Sequence, residues 1–262
     1  MKNYKNADHI HFIIRKQMNN TLKKHNPKTA ILICAGLLLL ATEKLQAQDN
    51  DWNHIGMEDV ISKDSFTQKG YTLILINKQQ DFDSTVKQKL METFFTVYPK
   101  EAKLYNKNTL RKVIFVIDPA YKGVAATDNG LVRFNPEWFV KHPKDIDVVT
   151  HEVMHIVQSY HDGETPGWLT EGIADYVRAK FGVDNPGAGW TLPAFSPKQN
   201  YTDAYRVTAR FLLWAEKKHD KKLVQQLDAA LRAGTYKPDL WKTLTGKTVD
   251  ELWKEYAGDP AI

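Results

Sequence analysis

Five consecutive residues, His151-Glu-Val-Met-His155, carry the clearest chemistry in the chain. Histidines at i and i+4 of a helix lie on one face, one turn apart. Two imidazoles so placed can reach a single zinc ion at roughly 2.0–2.1 Å. Glu152, beside them, is free to act as general base on a zinc-bound water. Ile146, Val149, Val153 and Ile156 form an apolar stripe on another face, as an amphipathic helix requires. The plainer reading of the same residues is a solvated helix with two unrelated histidines.

A zinc centre that does chemistry needs a third protein ligand and an open position. Two residues compete for the third place. His161 follows His155 by six, the spacing of the metzincins, but Gln158 stands where those enzymes place a helix-ending Gly, and no Met follows Met154 to make a Met-turn. Glu171 is the stronger candidate. It sits in Trp168-Leu-Thr-Glu-Gly-Ile-Ala-Asp-Tyr176, a predicted helix in which Glu171 and Asp175 share a face. One carboxylate can bind metal while the other holds the second nitrogen of a ligand imidazole. Trp168, Ile173 and Val177 are assigned to the core.

These residues must be carried by a scaffold, and the patterning supplies one. Tyr71–Ile76 and Val113–Ile117 read as buried strands. Asp128-Asn-Gly130 is a turn between Val124–Ala126 and Leu131–Phe134, so a hairpin is expected there. Val86, Leu90 and Phe94 recur at four-residue spacing in a helix from Asp83 to about Tyr98. Further helices are expected near 145–160, 168–181, 201–218, 221–233 and 248–257, the last opened by the capping box Thr248-Val-Asp-Glu251. The stretch 182–200 is rich in Gly and Pro and reads as a long loop. Strands first and helices after is an α+β pattern.

Charge narrows the partners. The 262 residues carry 36 Lys and Arg against 31 Asp and Glu. Eight of those bases and two of those acids lie in residues 1–48, which leaves 28 bases and 29 acids in residues 49–262. A near-neutral body has no electrostatic footprint for nucleic acid. The basic leader has the order of an export signal: Lys23, Lys24 and Lys28, then an apolar run from Ala30 to Ala41, then Ala47-Gln48 before Asp49. That run is too short to span a bilayer. The expected organisation is a signal peptide over 1–48, with Met18 as an alternative start, and a domain over 49–262 that is secreted or periplasmic, with no membrane span in the mature chain. Cys34 is the only cysteine and lies inside the leader, so a metal site in the mature chain must use His and carboxylates.

The chain resembles the plant basic secretory protein family and its bacterial relatives. The likeness runs through His151-Glu-x-x-His155 and Trp168-Leu-Thr-Glu-Gly-Ile-Ala-Asp-Tyr-Val-Arg178. It continues in Tyr201-Thr-Asp-Ala-Tyr-Arg-Val-Thr-Ala-Arg-Phe-Leu-Leu-Trp214 and in Leu244 to Tyr256. That family is similar to the gluzincin clan of zinc metallopeptidases, which includes thermolysin and the alanyl aminopeptidases. The resemblance implies one zinc per chain on His151, His155 and Glu171, with Asp175 behind the ligands. It also implies a two-lobed zincin-like fold, an N-terminal mixed sheet with helices and the active-site helix over about 49–162 and a C-terminal helical lobe over about 163–262. The chain has no Gly-x-Met-Glu-Asn, the sequence with which the aminopeptidases hold a substrate amino terminus, so an endopeptidase is expected rather than an aminopeptidase.

The expected reaction is hydrolysis of a peptide or protein substrate, with Glu152 moving the proton and Tyr201 donating to the oxyanion. Tyr201 is preferred because an alanyl-aminopeptidase catalytic Tyr lies two residues before a Lys-Gly pair, a place taken here by Asp203-Ala204. Tyr205, four residues on, is the alternative, and both are expected to face the cleft. Leu131–Phe134 is expected to offer a strand edge to an extended peptide. The rival from another class is a secreted binding module that keeps the zinc site without catalysis.

Overall fold

Alternating apolar residues and a two-residue turn build the sheet. The computed structural model describes residues 54–160 and 165–262. The leader, its cleavage point and His161 lie outside the described residues. Strands β1 (Ser62–Gln68), β2 (Tyr71–Asn77), β3 (Lys112–Ile117), β4 (Ala125–Asp128) and β5 (Leu131–Phe134) form one mixed sheet in the order β1-β2-β3-β5-β4. β2, β3 and β5 run parallel, and the outer strands β1 and β4 are antiparallel to their neighbours. Asn129 and Gly130 both take positive φ, which closes the β4–β5 hairpin in two residues.

Helix α1 (Ser84–Leu104) opens on Asp83, whose carboxylate accepts from the N–H groups of Thr85 and Val86. Its apolar face buries Val86, Leu90, Phe94 and Tyr98. Phe94 and Tyr98 meet Phe115 and Tyr71 of the sheet edge-to-face. Short α2 (Pro136–Lys141) follows β5, capped by Asn135 with Pro at its first position. The central helix α3 (Val148–Gln158) ends on Ser159 in the left-handed region, at φ 45°. Ile146, Val149, Val153 and Ile156 are all buried, as the stripe predicted.

α4 (Gly167–Phe181) and α5 (Tyr205–Lys218) pack closely. A Cβ at Gly172 would lie 2.2 Å from the Thr208 methyl, so that glycine is what lets α5 approach the helix bearing Glu171. α6 (Leu223–Arg232), α7 (Leu240–Thr245) and α8 (Val249–Gly258) complete the helical part. Phe211, Trp214, Trp241 and Tyr256 fill the core between them. The capping box at Thr248 forms with both of its bonds. The fold is α+β, with the sheet first and most helices after it, and Gly56–Ile262 make one compact unit. No helix among the described residues is long and apolar enough to cross a membrane.

Several elements differ from the sequence reading, which expected neither α2 nor α7. β1 is half-exposed and mostly polar, so it has no apolar run to announce it. α1 continues past Tyr98 through Pro99, held by sheet packing that outweighs one lost backbone bond. β5 is not an edge: it lies between β3 and β4 with all four residues buried, and the edge on that side of the sheet belongs to β4. The helix expected over 201–218 is broken. A 3-10 turn spans Tyr201–Asp203, and α5 starts only at Tyr205, because Ala204 sits at φ 62°, ψ −171°, conformations that stop a helix.

Candidate metal centre

α3 presents His151 and His155 one turn apart, and α4 brings Glu171 to the same point. The two Nε2 atoms lie 3.1 Å apart. Glu171 Oε2 lies 3.2 Å from His151 Nε2 and 3.6 Å from His155 Nε2. Ligands at roughly 2.0–2.1 Å in a tetrahedral array stand about 3.3 Å from one another, so these three donors have the spacing of a zinc site. They are the one group of this kind found among the described residues.

Each imidazole is turned by a bond at its other nitrogen. Asp175 Oδ1 lies 2.7 Å from His151 Nδ1, and an ionised carboxylate can only accept, so the proton sits on Nδ1. Gln158 Oε1 lies 2.7 Å from His155 Nδ1. The Gln158 amide donates to the Thr170 carbonyl at 2.9 Å, which leaves its oxygen as the acceptor for His155. Both Nε2 atoms therefore face the shared point, the orientation that metal-binding histidines require. Gln158 was absent from the sequence reading as a partner. Its signal was there, since i and i+3 on a helix are neighbours.

The electrostatics agree. Burial opposes charge on His151, but Asp175 and Glu171 outweigh it and lift its pKa well above the usual imidazole range. Burial would raise Glu171, yet the bonds from His151 and His155 pull its carboxyl far below the usual range. In the chain by itself the centre draws a positive charge, and the N, N, O donor set suits zinc.

Glu152 is buried beside this point. Its Oε2 accepts from the Thr127 hydroxyl at 2.6 Å. No sequence motif flags Thr127, which is 25 residues away on the edge strand.

The two tyrosines separate. Tyr201 is not brought to the centre: its hydroxyl donates to Asp250 at 2.7 Å, and its ring packs on Trp168, Phe211 and Trp253. The sequence preference for Tyr201 as oxyanion donor is thus corrected. The break at Ala204 removes the i, i+4 relation that would have put both rings on one face. Tyr205 does reach the centre. Its ring lies nearly parallel to His151 with centroids 6.1 Å apart, and its hydroxyl has no partner among the described residues. Burial, Glu171, Asp175 and Glu152 push its pKa up to about 12, so it stays a protonated donor. Both Ala204 and Tyr205 (φ 48°) take positive φ, a strained backbone that persists only where the surrounding structure holds it.

A model of the peptidases of plants and bacteria matches residues 59–256. The chain belongs to this peptidase family. Among solved structures, the fold of this family member is similar to that of an aminopeptidase. It is similar to Legionella pneumophila aminopeptidase A in complex with aspartic acid, at 16% identity and a TM-score of 0.52 over 74% of this chain and 27% of that one. Weaker likenesses reach an M1 zinc metallopeptidase from Deinococcus radiodurans, at 13% identity and TM-score 0.41 over 78% of this chain and 48% of that one. They also reach an aminopeptidase N family protein from Idiomarina loihiensis, at 12% and 0.36 over 76% and 41%. The chain therefore spans between about a quarter and a half of the length of those chains. No curated protein matches it by sequence.

Proposed function

We propose that this family member is an exported zinc endopeptidase holding one zinc on His151, His155 and Glu171. The observation that carries the reading is the convergence of those three donors, with Glu152 beside them. Zinc, when bound, supplies Lewis acidity that lowers the pKa of a water and polarises a carbonyl oxygen. Glu152 Oε1 makes no hydrogen bond within the described chain, so it is free to take the proton of an attacking water. Glu152 then hands that proton to the nitrogen of the breaking amide bond. The Tyr205 hydroxyl donates to the oxyanion. The outer side of β4 pairs with the extended substrate. The endopeptidase reading is supported by the lack of the Gly-x-Met-Glu-Asn sequence that holds a substrate amino terminus. Export, to a secreted or periplasmic place, rests on the leader over 1–48, and a mature mass beginning near Asp49 tests it.

Hydrolysis of labelled casein by the purified protein tests the function. Activity is expected to vanish with chelator, return with zinc, and be lost in Glu152→Gln while one zinc per chain remains. Hydrolysis indifferent to both chelator and Glu152→Gln overturns the reading. Tight zinc with no hydrolysis in the wild type instead identifies the non-catalytic binding module.

A further inference from the structure

β4 is a short edge strand, and its phase decides which groups face outward. The Asn135 N–H donates to the Val124 carbonyl at 3.1 Å, and Ala126 and Asp128 lie opposite Arg133 and Leu131. Backbone bonds in an antiparallel pair alternate, so Ala126 and Asp128 spend theirs on β5. Ala125 and Thr127 turn theirs to the open side. The Ala125 carbonyl there accepts from the Tyr121 hydroxyl at 3.0 Å. Thr127 is thus the residue of β4 whose outward backbone pair has no partner among the described residues and can take an extended peptide.

The side chain of the same residue leaves the plane of the sheet, onto α3. Its Oγ1 lies 2.6 Å from Glu152 Oε2 and 3.1 Å from the Glu152 carbonyl oxygen. A hydroxyl-to-carboxylate bond of that length is charge-assisted and directional. A glutamate side chain has three rotatable bonds, and this contact holds one end of its carboxylate.

We propose that Thr127 is the positioning residue for the general base. Its hydroxyl holds Oε2 of Glu152 so that Oε1 faces the cleft, while its backbone aligns the peptide being cut. One residue on a strand then sets both the base and the register of the scissile bond, which a loop residue would do less accurately. The inference rests on the peptidase reading above. A merely structural Thr127, tying β4 to the α3 backbone, would affect melting rather than turnover.

The test compares Thr127→Val and Thr127→Ser in the full, zinc-loaded protein. Valine keeps the shape and favours a strand, so the fold is retained. On a quenched fluorogenic peptide that the wild type cleaves, Thr127→Val is expected to lower kcat by about 10- to 100-fold with KM and zinc content unchanged. Thr127→Ser is expected to stay within about threefold of wild type. Crystal structures of the zinc-loaded forms should show one Glu152 carboxylate orientation in wild type and Ser, and more than one in Val. A wild-type kcat in Thr127→Val, an equal loss in Thr127→Ser, or an unmoved Glu152 in Thr127→Val overturns the inference. A wild type that cleaves no peptide sinks the peptidase reading instead, and the crystal structures still decide whether Thr127 holds Glu152.

Discussion

One hydroxyl separates the two tyrosines that the chain places four residues apart. Tyr205 lies over His151 with its hydroxyl unpartnered among the described residues, whereas the Tyr201 hydroxyl is held by Asp250. Removing an oxyanion donor costs about 10²- to 10³-fold in kcat. Tyr205→Phe is therefore expected to lose that much turnover with KM and zinc content little changed. Tyr201→Phe is expected to keep kcat and to lower the melting temperature slightly, because it removes the exposed hydrogen bond to Asp250. Steady-state kinetics with thermal melts on both variants check this. An equal loss of kcat in the two would return Tyr201 to the site.

At the scale of elements, the placement of α3 depends on Asp147. Its carboxylate is fully buried and accepts from the N–H groups of Val183 and Asp184, both at 2.6 Å, and from Thr150 Oγ1 at 3.1 Å. It sits at the start of α3, where the helix dipole favours a negative charge. It also ties the loop after α4 to the helix that bears the histidines. Arg178 fastens the same loop through Asn185 and by stacking 4.6 Å over the Trp190 ring. Asp147→Ala leaves two backbone N–H groups unpaired, at about 1–3 kcal/mol each. The expected result is a melting temperature lower by roughly 4–24 °C, since each kcal/mol is worth about 2–4 °C in a chain of this size. Zinc affinity should fall with it. A melt within a degree of wild type would remove Asp147 from this role.

For the whole molecule, Glu101 is a buried acid that catalysis does not use. It lies on α1 with neither carboxylate oxygen hydrogen-bonded. Burial raises its pKa well above the ordinary 4.5, and the nearby His151 opposes that only in part. The folded chain therefore keeps a proton that the unfolded chain releases above 4.5. Stability is lost as pH climbs from there toward the folded pKa. Glu101→Gln is neutral in both states and removes that slope. The variant should melt near wild type at pH 5 and above it at pH 8, in paired melts. A difference between variant and wild type that is the same at both pH values would refute this.

The helix that carries the two histidines was legible because it is local. His151, Glu152 and His155 lie within five residues, and the helical period alone puts the two histidines on one face. Glu171 and Asp175 were legible for the same reason, one helix later. The hairpin turn at Asn129-Gly130 and the Thr248 capping box are likewise short-range devices, written in a few adjacent side chains. What spans distance was not legible. The choice between Tyr201 and Tyr205 turned on the backbone at Ala204, where packing imposes a positive φ that an alanine does not announce. β1 is polar and half-exposed, so only its pairing with β2 makes it a strand. Thr127 meets Glu152 because the sheet brings its edge over α3, 25 residues along the chain, and no spacing rule reaches that far. Periodicity encodes which residues share an element; only the packing of elements decides which side chains of different elements meet.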